Sequence, residues 1–179
     1  MKKTIFNPIF KDTCTFLQTS EETNGEYTEI EVTLSPHGGN LLHKHTGFAE
    51  TFTPIEGNLG PIVNGAKILL KPGEKLTIKQ GEVHRFFNPD DLPIKFHLQF
   101  TPGHTGAENM LRILYGLAWD GMTNKKGIPK SLTTLAVLGE IGDSSVAGIL
   151  SWLSPLLKRL AAYARSKGVD KVLLEKYCQ

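Results

Sequence analysis

At 179 residues the chain is long enough to bury a sizeable core and reads as one main domain with an extension. Apolar content of 40% and charged content of 21% are those of an ordinary globular protein. A net charge of +2 gives no reason to expect nucleic acid or an anionic membrane as partner, and Cys14 and Cys178, at opposite ends, exclude a disulfide framework or a zinc knot.

The opening MKKTIFNPIFKD is interrupted by Asn7, Pro8, Lys11 and Asp12 and lacks the apolar run of a secretory signal, so a cytoplasmic location is expected. Short strands with turn signals follow. EIEVTL alternates Ile30, Val32 and Leu34 with Glu29, Glu31 and Thr33, the period of a half-buried strand. AKILLKPGEKLTI reads as two strands around a Lys71-Pro72-Gly73-Glu74 turn. In IKFHLQF, Ile94, Phe96, Leu98 and Phe100 share one face, and Lys95, His97 and Gln99 share the other. Many short strands of this kind predict a mainly β domain, a sandwich or barrel, over residues 1–104.

Composition changes near residue 104: residues 1–104 carry 10 Lys+Arg and 12 Asp+Glu, residues 105–179 carry 10 and 6. The second part reads as a helical extension packing on the barrel or across a homodimer interface. Thr105 and Glu108 have the spacing of a capping box, followed by an apolar stripe of Met110, Ile113, Leu114 and Leu117. A second helix is predicted from Leu132 to Ile141, and a third from Ser144 into the 160s, stopping at Gly168. Asp170 reads as the cap of a last short helix. VAGILSWLSPLL, the most apolar stretch, is shorter than the ~20 residues needed to cross a bilayer, so no membrane insertion is expected. A helix-turn-helix outline is present, but its second helix, 145–156, carries no Arg, Lys, Asn or Gln to read base edges.

The chemistry lies in two segments of the first part. HKHTGFAE holds His43, His45 and Glu50, and GEVHRFFN holds His84. Residues i and i+2 of a strand share a face, so His43 and His45 reach one point from one strand. Gly47 supplies the bend that brings Glu50 round. Three imidazoles and one carboxylate hold a divalent transition metal and leave positions open for a ligand; this donor set does not choose among Fe, Mn, Ni, Cu and Zn. By strand parity Phe86 and Asn88 lean the same way as His84, and Phe52 shares parity with Glu50. His97 and Gln99 are further pocket candidates, although His97 also fits the outer face of its strand. His37 and His104 sit beside Pro36 and Pro102-Gly103, contexts that read as surface loops.

The two segments resemble the two motifs of the cupin superfamily. The first reads His43, His45, four residues, Glu50, six residues, Gly57; its opening glycine is displaced to Gly38 or Gly39. The second reads Gly73, Lys79 where the family has proline, Gly81, His84 and Asn88, with fifteen residues between Gly57 and Gly73. This resemblance spans about residues 28–101 and implies a double-stranded β-helix, a jelly-roll barrel. It also implies a metal-dependent enzyme acting on a small organic molecule, dioxygenase-like as the first choice. Isomerases, epimerases and decarboxylases occur in the same superfamily, and a non-catalytic ligand-binding or sensor module is the alternative.

Overall fold

The computed structural model describes residues 2–146 and 154–179. Ten strands come first: β1 (Thr4–Asn7), β2 (Asp12–Gln18), β3 (Thr28–Leu34), β4 (His43–His45), β5 (Ala49–Glu56), β6 (Gly60–Val63), β7 (Ala66–Lys67), β8 (Leu76–Ile78), β9 (His84–Phe87) and β10 (Ile94–Thr101). Helices α1 (Thr105–Trp119) and α2 (Leu132–Ile141) follow, then a strand β11 (Ser144–Val146) and helices α3 (Ser154–Ser166) and α4 (Val169–Tyr177).

Two sheets form, in the orders β1-β2-β3-β10-β5-β8 and β11-β4-β9-β6-β7. Neither closes on itself, which corrects the expected barrel to an open two-sheet jelly-roll arrangement. Closure needs continuous ladders, and the strands nearest the seam are short: β8 has three residues, and β4 meets β9 through the single pair His43–His84. The alternation read from the sequence sets which side is buried. Ile94, Phe96, Leu98 and Phe100 of β10 point into the core beside Ile30, Val32 and Leu34 of β3. Phe86 from the opposite sheet meets Phe96 at 5.2 Å and Phe52 at 5.7 Å between ring centroids, both edge-on. Edge-to-face pairs of this kind add to the burial of three large rings.

The helical part departs from the sequence reading in three places. His104, not Thr105, caps α1: its Nδ1 accepts from the Ala107 N–H at 2.9 Å. Glu108 is thereby free of capping and lies buried, accepting from the Ser20 N–H at 2.6 Å and the Thr28 hydroxyl at 2.7 Å. Through these bonds α1 is fastened to the start of β3. Ser144 opens the strand β11, antiparallel to β4, where a helix was expected. Gly168, with φ 78°, occupies the cap position of α4 in place of Asp170, which stands in the first turn. The second helix does start and stop where expected, with Ser131 capping it. Most of VAGILSWLSPLL lies outside the described residues.

Ala107 and Tyr115 of α1 enter the β core, while Ile113 and Leu117 join Val137 and Leu138 of α2, Ala164 of α3 and Leu173 of α4 in a second apolar cluster. Among the described residues, no helix is long and apolar enough to cross a membrane.

Candidate metal centre and its cavity

His43 and His45 stand on β4, Glu50 on β5 and His84 on β9. One ligand atom from each of the four lies within 4.8 Å of the others. Opposed ligands of a bound transition metal are about 4.2 Å apart, twice a bond of about 2.1 Å, so small side-chain adjustments suffice. The local sequence explains the convergence. The two strands bearing His43 and His84 pair directly, and the turn between β4 and β5 returns the chain so that Glu50 faces them. That turn is held by Asp143, whose carboxylate accepts from the Thr46 N–H at 2.9 Å, from the Thr46 hydroxyl at 2.8 Å, and from the Gly47 N–H.

Protons are arranged for metal binding. The Nδ1 atoms of His43 and His84 lie 2.7 Å from the Leu41 carbonyl and 2.9 Å from the Glu82 carbonyl. A carbonyl only accepts, so each Nδ1 carries the proton and Nε2 is left as the ligand atom. Both ring nitrogens of His45 are buried without a hydrogen-bond partner among the described residues; its Nε2 is 2.9 Å from Glu50 Oε1 but out of line for a bond. A buried imidazole with no partner is costly, and a metal ion at the convergence point supplies one. His84 Nε2 lies 2.9 Å from Glu50 Oε2.

Burial pushes the Glu50 carboxyl up, but the His45 and His84 rings outweigh it and hold the group well below the usual carboxylate range. Burial pushes His43 down to about 4 against the pull of Glu50, which leaves it neutral at physiological pH. For His84, burial acts downward and the bond to Glu50 outweighs it, so its proton binds more tightly than usual. Metal binding there displaces that proton.

The departure at Lys79 from the cupin proline has a structural counterpart. The Lys79 N–H, which proline lacks, donates to Glu82 Oε2 at 2.7 Å, and the Glu82 N–H returns to the Lys79 carbonyl at 3.1 Å. The same Glu82 then presents its carbonyl to His84. Of the two candidates for the displaced glycine, Gly39 bridges to Phe87, and a Cβ there would sit 2.6 Å from the Phe86 carbonyl oxygen.

The cluster opens on a cavity of about 780 Å³ between the sheets and the helices. His43, His45 and Glu50 line it, with Phe100, Leu111, Leu114 and Leu138 among its apolar walls. Phe48 completes the wall beside the metal ligands, its ring 4.3 Å from that of His45 and 4.9 Å from that of His104. His104 is thus half-buried against the site, not the surface histidine expected.

The pocket candidates fall in different places. Phe86 lines the cavity. Phe52 is fully buried, with its ring 6.4 Å from that of His84. Asn88 is buried, and its amide donates to the carbonyls of Leu34, Ser35 and Leu92. His97 and Gln99 lie on the other face of β10, and His97 Nδ1 is 3.2 Å from Glu29. Asp12, Cys14 and Tyr115 also line the cavity and were missed from sequence. The signal available was the alternation Asp12, Cys14, Phe16, which puts an acid and a thiol on the inward face of β2.

The fold and site define a metal-binding jelly-roll module. Residues 30–100 match the family model described as the cupin domain, and this β domain is a cupin, extended by C-terminal helices outside the match. No curated protein matches the chain. Among solved structures, an RmlC-like cupin from Shewanella frigidimarina is similar at 15% identity and a TM-score of 0.50, over 58% of this chain and 87% of that one. A predicted oxalate decarboxylase from Thermotoga maritima is similar at 22% identity and 0.49, over 51% and 80%. The cupin domain of a transcriptional regulator from Enterobacter cloacae is similar at 19% and 0.45, over 50% and 95%. At these identities the likeness concerns the fold alone.

Proposed function

We propose that the chain is a metal-dependent enzyme acting on a small, largely apolar organic molecule, with dioxygenase-like chemistry as the first reading. The observation that carries this is the meeting of a buried three-histidine, one-glutamate cluster with a cavity of about 780 Å³. That volume is in the range of small-molecule sites. A redox-active ion held by His43, His45, Glu50 and His84 supplies oxygen chemistry, whereas zinc supplies Lewis-acid chemistry. The chain's own residues do the rest. The Leu41 and Glu82 carbonyls fix the tautomers of His43 and His84, Phe48 packs against His45, and the apolar walls exclude bulk water from the reacting end.

The test is reconstitution with Fe, Mn, Ni, Cu and Zn in turn, with element analysis, followed by a panel of small aromatic and aliphatic molecules with and without dioxygen. The expected result is one equivalent of metal and substrate-dependent dioxygen uptake, both lost in His84→Ala. Turnover without dioxygen would replace the oxygenase reading by an isomerase or decarboxylase one. Full metal occupancy with no turnover in either atmosphere would leave a binding or sensor module.

A further inference from the structure

Away from the four metal ligands, the same cavity carries a second polar group of residues. Asp12 and Cys14 project from the inward face of β2, and Tyr115 from α1, 103 residues from Asp12 in the chain; all three line the cavity. The Tyr115 hydroxyl donates to Asp12 Oδ2 at 2.6 Å, which leaves its oxygen to accept from the Cys14 thiol at 3.1 Å. Asp12 Oδ1 is buried and has no partner among the described residues. The residue itself is 4% exposed. An unsatisfied carboxylate oxygen in such a place is costly, and natural cores keep few of them.

We propose that Asp12, held by Tyr115, is a recognition site for a hydrogen-bond donor on the substrate, a hydroxyl or amino group on an otherwise apolar body. The inference rests on reading the cavity as the substrate site, and it deepens that reading by naming the substrate class. The bonding pattern sets the polarity of the site. Tyr115 spends its only proton on Oδ2, so the pair offers the ligand an acceptor, Oδ1, and no donor. Burial pushes the Asp12 carboxyl up to about 6, opposed by the bond from Tyr115, so the group is mostly ionised at pH 7.5 to 8 and accepts as an anion. Val32 and Phe86 lie among the walls around it and offer the ligand body only apolar contact. A substrate of this class lies with its donor on Asp12 and its body along the apolar wall.

The experiment compares 4-propylbenzyl alcohol with 1-ethyl-4-propylbenzene, which replaces the hydroxyl by a methyl group of similar size. Binding of each is measured by calorimetry at about pH 8 on the metal-loaded and the metal-free full chain. The readout is the ratio of the two affinities in wild type, in Asp12→Asn and in Asp12→Leu. A hydrogen bond to a charged acceptor predicts that the ratio falls at least about tenfold in Asp12→Leu and less in Asp12→Asn. A ratio unchanged within about twofold in both variants, or no binding of either probe to wild type, overturns the proposal. Should Asp12→Leu fail to fold, Asp12→Asn decides alone: a ratio that falls more than about twofold supports the proposal, and one unchanged within about twofold overturns it. A chain that takes up no metal yet shows the shift retains this site and loses the enzymatic reading; a metal-loaded chain without the shift does the reverse.

Discussion

The two polar regions of the cavity are built on opposite principles. At the metal centre the buried charge is answered within the cluster, since Glu50 lies beside His45 and His84; two backbone carbonyls take the Nδ1 protons of His43 and His84, and the His45 nitrogens are left for the ion. Around Asp12 the charge is not answered: among the described residues Oδ1 is left without a partner, while burial raises the carboxyl to about 6. The metal centre draws on residues 43 to 84, one compact stretch of chain, whereas the Asp12 group draws on β2 and α1. A site whose parts lie close in sequence leaves a spacing motif; one assembled across a hundred residues leaves none.

The contrast can be broken in graded ways. The largest effect is expected from His84→Ala, which should weaken metal binding by about a hundredfold or more, read by element analysis after dialysis. Lowering the pH should release metal from wild type as well, because His84 binds its proton more tightly than an ordinary histidine. Retained stoichiometric metal in the variant would remove the centre from the account. Next comes Phe48→Ala. The ring is buried between His45, Phe100 and His104, and its loss should cost about 3–5 kcal/mol in urea unfolding.

Asp12→Asn tests the other region through pH. Burial raises the native carboxyl to about 6, above the ordinary 3.8, so between these values the native state binds the proton more tightly than the unfolded chain. This stabilising contribution is full below about pH 4 and lost as pH rises through 6, about 3 kcal/mol in all. The variant should therefore lack that part of the slope and be relatively more stable at pH 7; parallel wild-type and variant curves from pH 4 to 7 would show Asp12 to be unperturbed. Smallest is Asp143→Ala, which removes the acceptor for the Thr46 and Gly47 N–H groups beside the metal ligands. About 1 kcal/mol of stability should go, since these bonds are partly open to solvent.

What the sequence disclosed follows the same division. The alternation in β3 and β10 identified the buried faces, and two spacing motifs identified four ligands that the fold brings together. Local signals failed where tertiary contacts override them. Glu108 has the spacing of a capping residue but is drawn instead to Ser20 and Thr28. Ser144 follows an apolar helix and precedes an apolar run, yet its backbone pairs with His45, which no local pattern announces. Asp12 looked like a polar interruption near the terminus; only the position of Tyr115 gives it a role.

That pairing of β11 with β4 has a consequence for how the protein is made. The strand bearing His43 and His45 would otherwise be an outer strand, a row of unpaired backbone groups open to another chain. Its shield is encoded about a hundred residues downstream, with Asp143 and Thr46 97 positions apart. During synthesis the ligand strand therefore emerges well before its neighbour does, and the nascent chain passes through a stage in which that edge is uncovered. The ligand strand becomes an inner strand, with β11 as the new edge, only once residues 144–146 have been made.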